Sequence, residues 1–208
     1  KVFRHDNNIM KYIQSIDTIV STGSYLHKST FDEFKRKFSI PLQTCYGVTE
    51  IGDLDNDTIL DVGCGLGAYF DYIHNAYPNL SYTGVDINPN MIQGAQQRHS
   101  DIEFIHTDIT SDSHALNDRK FDYVFLSGAL NLSTEKHHET IENIMKEMFT
   151  LANKGVAANF LSIFSDYLTP GEYYCNPEDI LQMAFSITKK VTLRHDYMPH
   201  DFTIYLYK

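Results

Sequence analysis

From Thr58 to the C-terminus, short apolar runs of strand length alternate with stretches patterned as amphipathic helices, and this alternation constrains the fold more than any other feature. The strand candidates are Ile59–Val62, Tyr82–Val85, Ile102–His106, Tyr123–Leu126, Val156–Leu161, Lys190–His195 and Phe202–Tyr207. Two of the intervening helices carry start signals. Asn88-Pro89 and Asn176-Pro177 each set an N-cap residue before a proline at the first helical position, and Glu178 and Asp179 add acids to the first turn of the second. The longest helical pattern runs from about Thr134 to Ala152 with Ile141, Ile144, Met145, Met148 and Phe149 on one face, and Lys154-Gly155 reads as its stop. Strands alternating with helices predict an α/β fold: a seven-stranded, mostly parallel sheet with right-handed crossovers and helices on both faces. Only Asp196–Asp201 separates the last two strand candidates, which leaves room for a hairpin and so for one antiparallel strand.

Ahead of this region, residues 1–50 read as an N-terminal helical cap, distinct from the domain over 51–208. Ile9, Tyr12, Ile13, Ile16, Ile19 and Val20 recur at helical spacing, and Phe31, Phe34 and Phe38 repeat the pattern before Pro41 ends it. Such helices pack on a core, and their aromatic residues suit the wall of a pocket. Seventeen Lys and Arg against 27 Asp and Glu give a net charge of −10, which disfavours a nucleic-acid partner. No apolar run is long enough for a membrane span and the first 20 residues do not resemble a signal peptide, so a cytoplasmic protein is expected. Three cysteines without a CxxC pair support neither a disulfide framework nor structural zinc. Asp53-Leu54-Asp55-Asn56-Asp57 mimics the start of a calcium loop, but Thr58 stands where a glycine is needed and Cys64 where a glutamate is, so a polar turn is expected.

The stretch Ile59-Leu60-Asp61-Val62-Gly63-Cys64-Gly65-Leu66-Gly67-Ala68-Tyr69-Phe70 carries a buried strand into a glycine turn and then a helix. Glycines allow a tight turn and let backbone N–H groups approach a ligand closely. Taken alone, GCGLGA also satisfies the dinucleotide-binding fingerprint, with Asp86 as the acid on the next strand. Asp61 separates the two readings. A carboxylate two residues before the first glycine opposes a pyrophosphate and favours a ligand carrying positive charge.

In these residues the sequence resembles the class I S-adenosylmethionine-dependent methyltransferases, whose first motif is a strand ending in D-x-G-x-G-x-G, here Asp61, Gly63, Gly65 and Gly67 with Cys64 inside the turn. The resemblance covers about residues 50–208 and implies a Rossmann-like sheet and S-adenosylmethionine as cofactor, with S-adenosylhomocysteine as product. It implies that Asp86, ending the second strand, grips the two ribose hydroxyls, and that Ile87 and Met91 pack against the adenine. Asp108, ending the third strand, would accept from the adenine amino group while the Ile109 N–H donates to the ring. The Ser127–Ala129 backbone after the fourth strand would lie near the methionine part.

The methyl acceptor is less constrained. Methyl transfer needs alignment rather than a covalent nucleophile, and the sequence singles out no catalytic base. Candidate acceptor contacts are Asn131 in the fourth-strand exit, His137 at the start of the long helix, and the Tyr173–Tyr174 pair before Asn176; His138, His195 and His200 carry no distinguishing spacing, and no metal site is expected. Ser127-Gly128-Ala129-Leu130 lacks the Asn/Asp-Pro-Pro-aromatic element of enzymes that methylate base or amide nitrogens. With 14 Tyr and 13 Phe, an enclosed pocket for a small molecule is the favoured expectation, methylated on O or N. A protein or RNA methyltransferase and a non-catalytic or dinucleotide-binding module are the alternatives.

Overall fold

The computed structural model describes residues 47–111, 115–131 and 137–208. The helical cap expected over 1–50 lies almost wholly outside the described residues, as do Cys45 and the expected helix start at Thr134. Seven strands, β1 (Thr58–Val62), β2 (Ser81–Asp86), β3 (Glu103–His106), β4 (Phe121–Leu126), β5 (Ala152–Leu161), β6 (Val191–Arg194) and β7 (Asp201–Tyr207), form one sheet in the order β3-β2-β1-β4-β5-β7-β6. Every pairing is parallel except those of β7, which runs antiparallel to both β5 and β6. The single antiparallel strand follows from the hairpin, whose short loop permits no crossover.

Four helices, α1 (Ala68–Ile73), α2 (Pro89–Arg98), α3 (His137–Leu151) and α4 (Pro177–Ile187), cover the sheet. On one face Ile59, Tyr82, Phe104, Phe125, Ala157 and Tyr205 pack against Phe70, Ile73 and Ile92 of α1 and α2. On the other, Leu60, Val124, Val156 and Ile204 meet Ile141, Met145 and Met148 of α3 and Ile180 and Met183 of α4. Strands buried on both faces explain why they read as continuous apolar runs. Both expected N-caps form: Asn88 accepts from the Asn90 N–H at 3.0 Å and Asn176 from the Glu178 N–H at 3.1 Å. The Asp53–Asp57 stretch is a turn, with the Asp55 N–H on Asp53 Oδ1 at 3.1 Å.

One boundary differs from expectation. The long helix ends at Leu151 and the chain enters β5 at once, so Lys154-Gly155 lies inside a strand rather than at a helix stop. Gly155 answers to packing: a Cβ there would lie 3.1 Å from both the Leu206 carbonyl oxygen and Ile51 Cδ1. Among the described residues, no helix is long and apolar enough to cross a membrane.

Candidate active site

Strand order reverses between β1 and β4, so the connections leave their carboxyl ends in opposite directions and open a crevice, the place where open α/β sheets bind ligands. The turn after β1 borders it. Gly63 and Cys64 donate their backbone N–H groups to the Val85 carbonyl at 2.8 and 3.0 Å, tying the turn to the end of β2. Gly63 has a φ of 72°, and a Cβ on it would lie 2.3 Å from Ala129 Cβ. Glycine alone lets the turn after β1 and the loop after β4 come this close. Gly65 and Gly67 complete the turn, and Gly67 leads directly into α1.

Asp86 ends β2 and accepts two backbone donors, the Gly65 N–H on Oδ2 at 2.9 Å and the Asn88 N–H on Oδ1 at 2.8 Å. Each carboxylate oxygen retains capacity for a second donor. Beside it opens a cleft of about 240 Å³, bordered by Gly63, Asp86, Ile87, Thr107, Asp108 and Ile109 together with Ala129, Leu130 and Ile144. Ile87 is 67% exposed, a large apolar side chain with nothing over it. Partial burial raises the Asp108 carboxyl, but hydrogen bonds from Thr110 and Ser111 outweigh it and hold the group below its usual range, so it is an ionised acceptor. Thr107 Oγ1 is buried and makes no hydrogen bond among the described residues. Buried hydroxyls ordinarily have partners, so an orphan in the wall of an open cleft is available to a ligand's polar atom. Paired acceptors, a flat apolar wall and an orphan hydroxyl together fit the nucleoside end of S-adenosylmethionine. A larger, open hollow of about 350 Å³ beside Thr110 is walled by Asn143, Lys146, Glu147 and Thr150 on α3 and offers no such combination.

Four residues expected at the cofactor lie around the cleft rather than in its lining. Asp61 is only 2% exposed and lies outside the cleft wall; strand alternation turns it to the α1 face, where it accepts from the Tyr82 hydroxyl at 2.5 Å. Burial pushes its carboxyl up to about 7, the Tyr82 hydrogen bond opposes this and Asp86 adds to it. Cys64 is buried behind the turn, and burial with the Asp61 and Asp86 charges pushes its thiol up, which makes it inert. Met91 is half-buried on α2, and neither it nor Ser127 borders the cleft. Thr107, Leu130 and Ile144 border it without having been singled out in the sequence. Thr107 had a signal in its place just before Asp108, whereas the arrival of Ile144 on α3 depends on the crossover.

Of the four candidates for acceptor contacts, three come together. The Tyr173 N–H donates to the Asn131 carbonyl at 2.9 Å, and the His137 and Tyr173 rings lie 3.8 Å apart. His137 Nε2 lies 2.9 Å from the Leu130 carbonyl, which can only accept, so Nε2 carries the proton; burial lowers the pKa of this ring. Tyr174 stands apart, its hydroxyl donating to Glu172 Oε2 at 2.6 Å and accepting from the Thr169 N–H at 2.9 Å. The segment between β5 and α4 leaves Ile163, Phe164, Tyr167 and Leu168 exposed. His195 lies near the Phe164 and Phe202 rings, and His200 near Tyr167.

Known proteins resemble this chain in sequence and fold. Residues 59–155 match the model of the methyltransferase domain family. A Mycobacterium tuberculosis protein named as a methyltransferase is 30% identical over 166 residues, covering 74% of this chain and 95% of that protein. The malonyl-[acyl-carrier protein] O-methyltransferase of Acetivibrio thermocellus is 28% identical over 180 residues, covering 70% of this chain and 61% of that one. The solved structure of magnesium protoporphyrin IX methyltransferase from Synechocystis, with S-adenosylhomocysteine bound, superposes with a TM-score of 0.63 at 17% identity, over 92% of this chain and 96% of that chain. With the strand order, the glycine turn and the acids at successive strand ends, these likenesses establish that the chain belongs to the class I S-adenosylmethionine-dependent methyltransferases.

Proposed function

We propose that the protein methylates an oxygen or nitrogen atom of a small molecule by in-line displacement. The observation that carries this reading is the cleft beside Asp86, where acceptor oxygens, the exposed Ile87 and the orphan Thr107 hydroxyl converge. Asp86 takes the ribose hydroxyls of the cofactor, Ile87 and Ile109 cover the adenine, and Asp108 accepts from its amino group, with the Ile109 N–H on the ring. Met91 at the start of α2 packs against the adenine beside Ile87. The turn at Gly63, Cys64, Gly65 and Gly67 and the Ser127–Ala129 backbone bracket the methionine part. Once bound, the cofactor supplies a methyl carbon on an already activated sulfonium. The chain's own contribution is alignment and exclusion of water, effects that together reach about 7–11 kcal/mol in well-oriented reactions.

Asn131, His137 and Tyr173 form the polar side of the acceptor site, and Ile163, Phe164, Tyr167 and Leu168 offer an apolar surface for the body of the acceptor. Tyr174 has its hydroxyl committed locally and takes no part. The segment 162–176 contains Asp166 and Glu172 but no Lys or Arg, which supports a small organic acceptor over a nucleic acid. The O-methyltransferase name of the Acetivibrio relative supports oxygen as the acceptor atom.

The test is incubation of the protein with methyl-labelled S-adenosylmethionine and the small-molecule and macromolecular fractions of a cell extract. Label is expected in the small-molecule fraction. Label confined to protein or RNA would overturn the acceptor class, and calorimetric binding of NAD without S-adenosylhomocysteine would overturn the assignment of the cleft.

A further inference from the structure

Behind the loop after β4 lies a buried polar group that no step above uses. Asp201, the first residue of β7, is 1% exposed, and neither of its carboxyl oxygens makes a hydrogen bond among the described residues. Next to it on the same sheet face is Asn159 of β5, fully buried, whose partner across the ladder is Thr203. The Asn159 amide is divided in its commitments. Its Oδ1 accepts from the Gly128 N–H at 2.8 Å, while its Nδ2 makes no hydrogen bond among the described residues. Gly128 has a φ of 76° and is followed by Ala129, the residue pressed against Gly63. Asn159 thus stands between Asp201, its neighbour on the sheet face, and the loop that borders the cofactor cleft, to which it is bonded.

Two orphaned buried groups side by side, one a pure acceptor when ionised and the other a donor, are too costly to be incidental. We propose that Asp201 is a positioning residue for methyl transfer: its ionised carboxylate accepts from Asn159 Nδ2, which commits Asn159 Oδ1 to the Gly128 N–H and fixes Ser127–Ala129 against the glycine turn. The neutral acid asks the opposite of the same amide. Its O–H needs an acceptor, and Asn159 Oδ1 is then drawn away from Gly128. Burial pushes the Asp201 carboxyl up to about 7, the Asn159 amide pulls it down and Glu172 adds to the rise, so the exchange falls near neutral pH. Among the described titratable groups, Glu172 from the segment before α4 and Tyr197 from the β6–β7 loop face Asp201; the Tyr197 hydroxyl is held high by burial and stays neutral through this range.

The inference rests on the reading of Ser127–Ala129 as a wall of the cofactor site, and its test separates the two. The backbone amide resonance of Gly128, followed by NMR on the ligand-free protein from pH 5.5 to 8.5, is expected to titrate near 7, and to lose that step in Asp201→Asn, which keeps an acceptor oxygen but cannot ionise. In parallel, calorimetry should show S-adenosylhomocysteine binding roughly five- to tenfold tighter at pH 8 than at pH 6 in the wild type, the equivalent of one hydrogen bond, and nearly constant in Asp201→Asn. Asp201→Ala should bind as weakly at pH 8 as the wild type does at pH 6. A Gly128 resonance that does not move with pH, or that moves identically in Asp201→Asn, overturns the proposal, and the wild-type titration alone decides it if the variants do not fold. Failure to bind S-adenosylhomocysteine at any pH would instead sink the reading of the cleft, and the Gly128 titration would still decide the link between Asp201 and Asn159.

Discussion

Gly65 donates its backbone N–H to Asp86 Oδ2 at 2.9 Å, so the acid that ends β2 is part of the turn that follows β1. Removing this side chain therefore has two effects. Asp86→Ala deletes the acceptors offered to the ribose and releases the glycine turn, and S-adenosylhomocysteine affinity should fall by about 2–4 kcal/mol, the range for charge-assisted hydrogen bonds. Asp86→Asn keeps one acceptor oxygen and should fall between. Calorimetric Kd values for both variants check this, and an unchanged Kd in Asp86→Ala would mean the ribose binds elsewhere.

Thr107 separates binding from stability. Its hydroxyl is an orphan in the free protein, so Thr107→Val removes an unsatisfied buried group without leaving a cavity. The free protein should be unchanged or more stable by up to about 1 kcal/mol, while affinity for S-adenosylhomocysteine drops by a similar amount. Urea denaturation and calorimetry on the same sample give the two numbers. Loss of stability with unchanged affinity would show that the hydroxyl already has a structural partner.

At Gly63 the constraint is steric. Gly63→Ala places a Cβ 2.3 Å from Ala129 Cβ at a φ of 72°, so the two loops must separate. The backbone conformation alone costs about 1–2 kcal/mol, and methyl transfer should be lost because the crevice wall moves. Ala129→Gly removes the atom that is struck. In the double variant, activity should recover while the conformational cost persists, an outcome read by comparing Tm with initial rates. No recovery would place the damage in the turn itself.

Much of this arrangement is legible in the sequence because it is local. Strands buried on both faces announce themselves as apolar runs, Asn88-Pro89 and Asn176-Pro177 cap helices by contacts within three residues, and Asp86 and Asp108 follow directly from strand ends. What escapes is set by partners far along the chain. Gly155 has the look of a helix stop, and only the approach of Leu206 and Ile51 shows why a glycine stands within β5. Spacing puts Asp61 at the right strand end, but its burial on the α1 face with the Tyr82 hydroxyl as partner depends on β2. Asn159 and Asp201 lie on strands that become neighbours only because β7 inserts antiparallel between β5 and β6. The local bonds of the Tyr174 hydroxyl to Thr169 and Glu172 are close in sequence, but that they form rather than others depends on the turn between them.

Asp61 also makes stability depend on pH with a sign opposite to that of most acids. Its folded-state pKa is raised to about 7 by burial, against about 3.9 for an unfolded aspartate. Between those values the native state holds a proton that the unfolded chain has released, so unfolding free energy declines as pH rises through that window. Asp201, also raised to about 7, acts in the same direction. Acids held low by hydrogen bonds and ion pairs, such as Glu103 beside Arg119 and Asp122 beside Thr58, contribute stability that is already complete above about pH 5. The ligand-free protein should therefore be most stable near pH 5 and lose a few kcal/mol by pH 8, with about 4 kcal/mol as the upper bound for each three-unit shift. Asp61→Asn retains an acceptor for the Tyr82 hydroxyl without a titrating proton, and should flatten the decline. Urea midpoints measured from pH 5 to pH 8 test this directly; a wild-type midpoint that holds level or rises across that range would mean Asp61 is ionised in the folded protein, balanced by a cation the described residues do not supply.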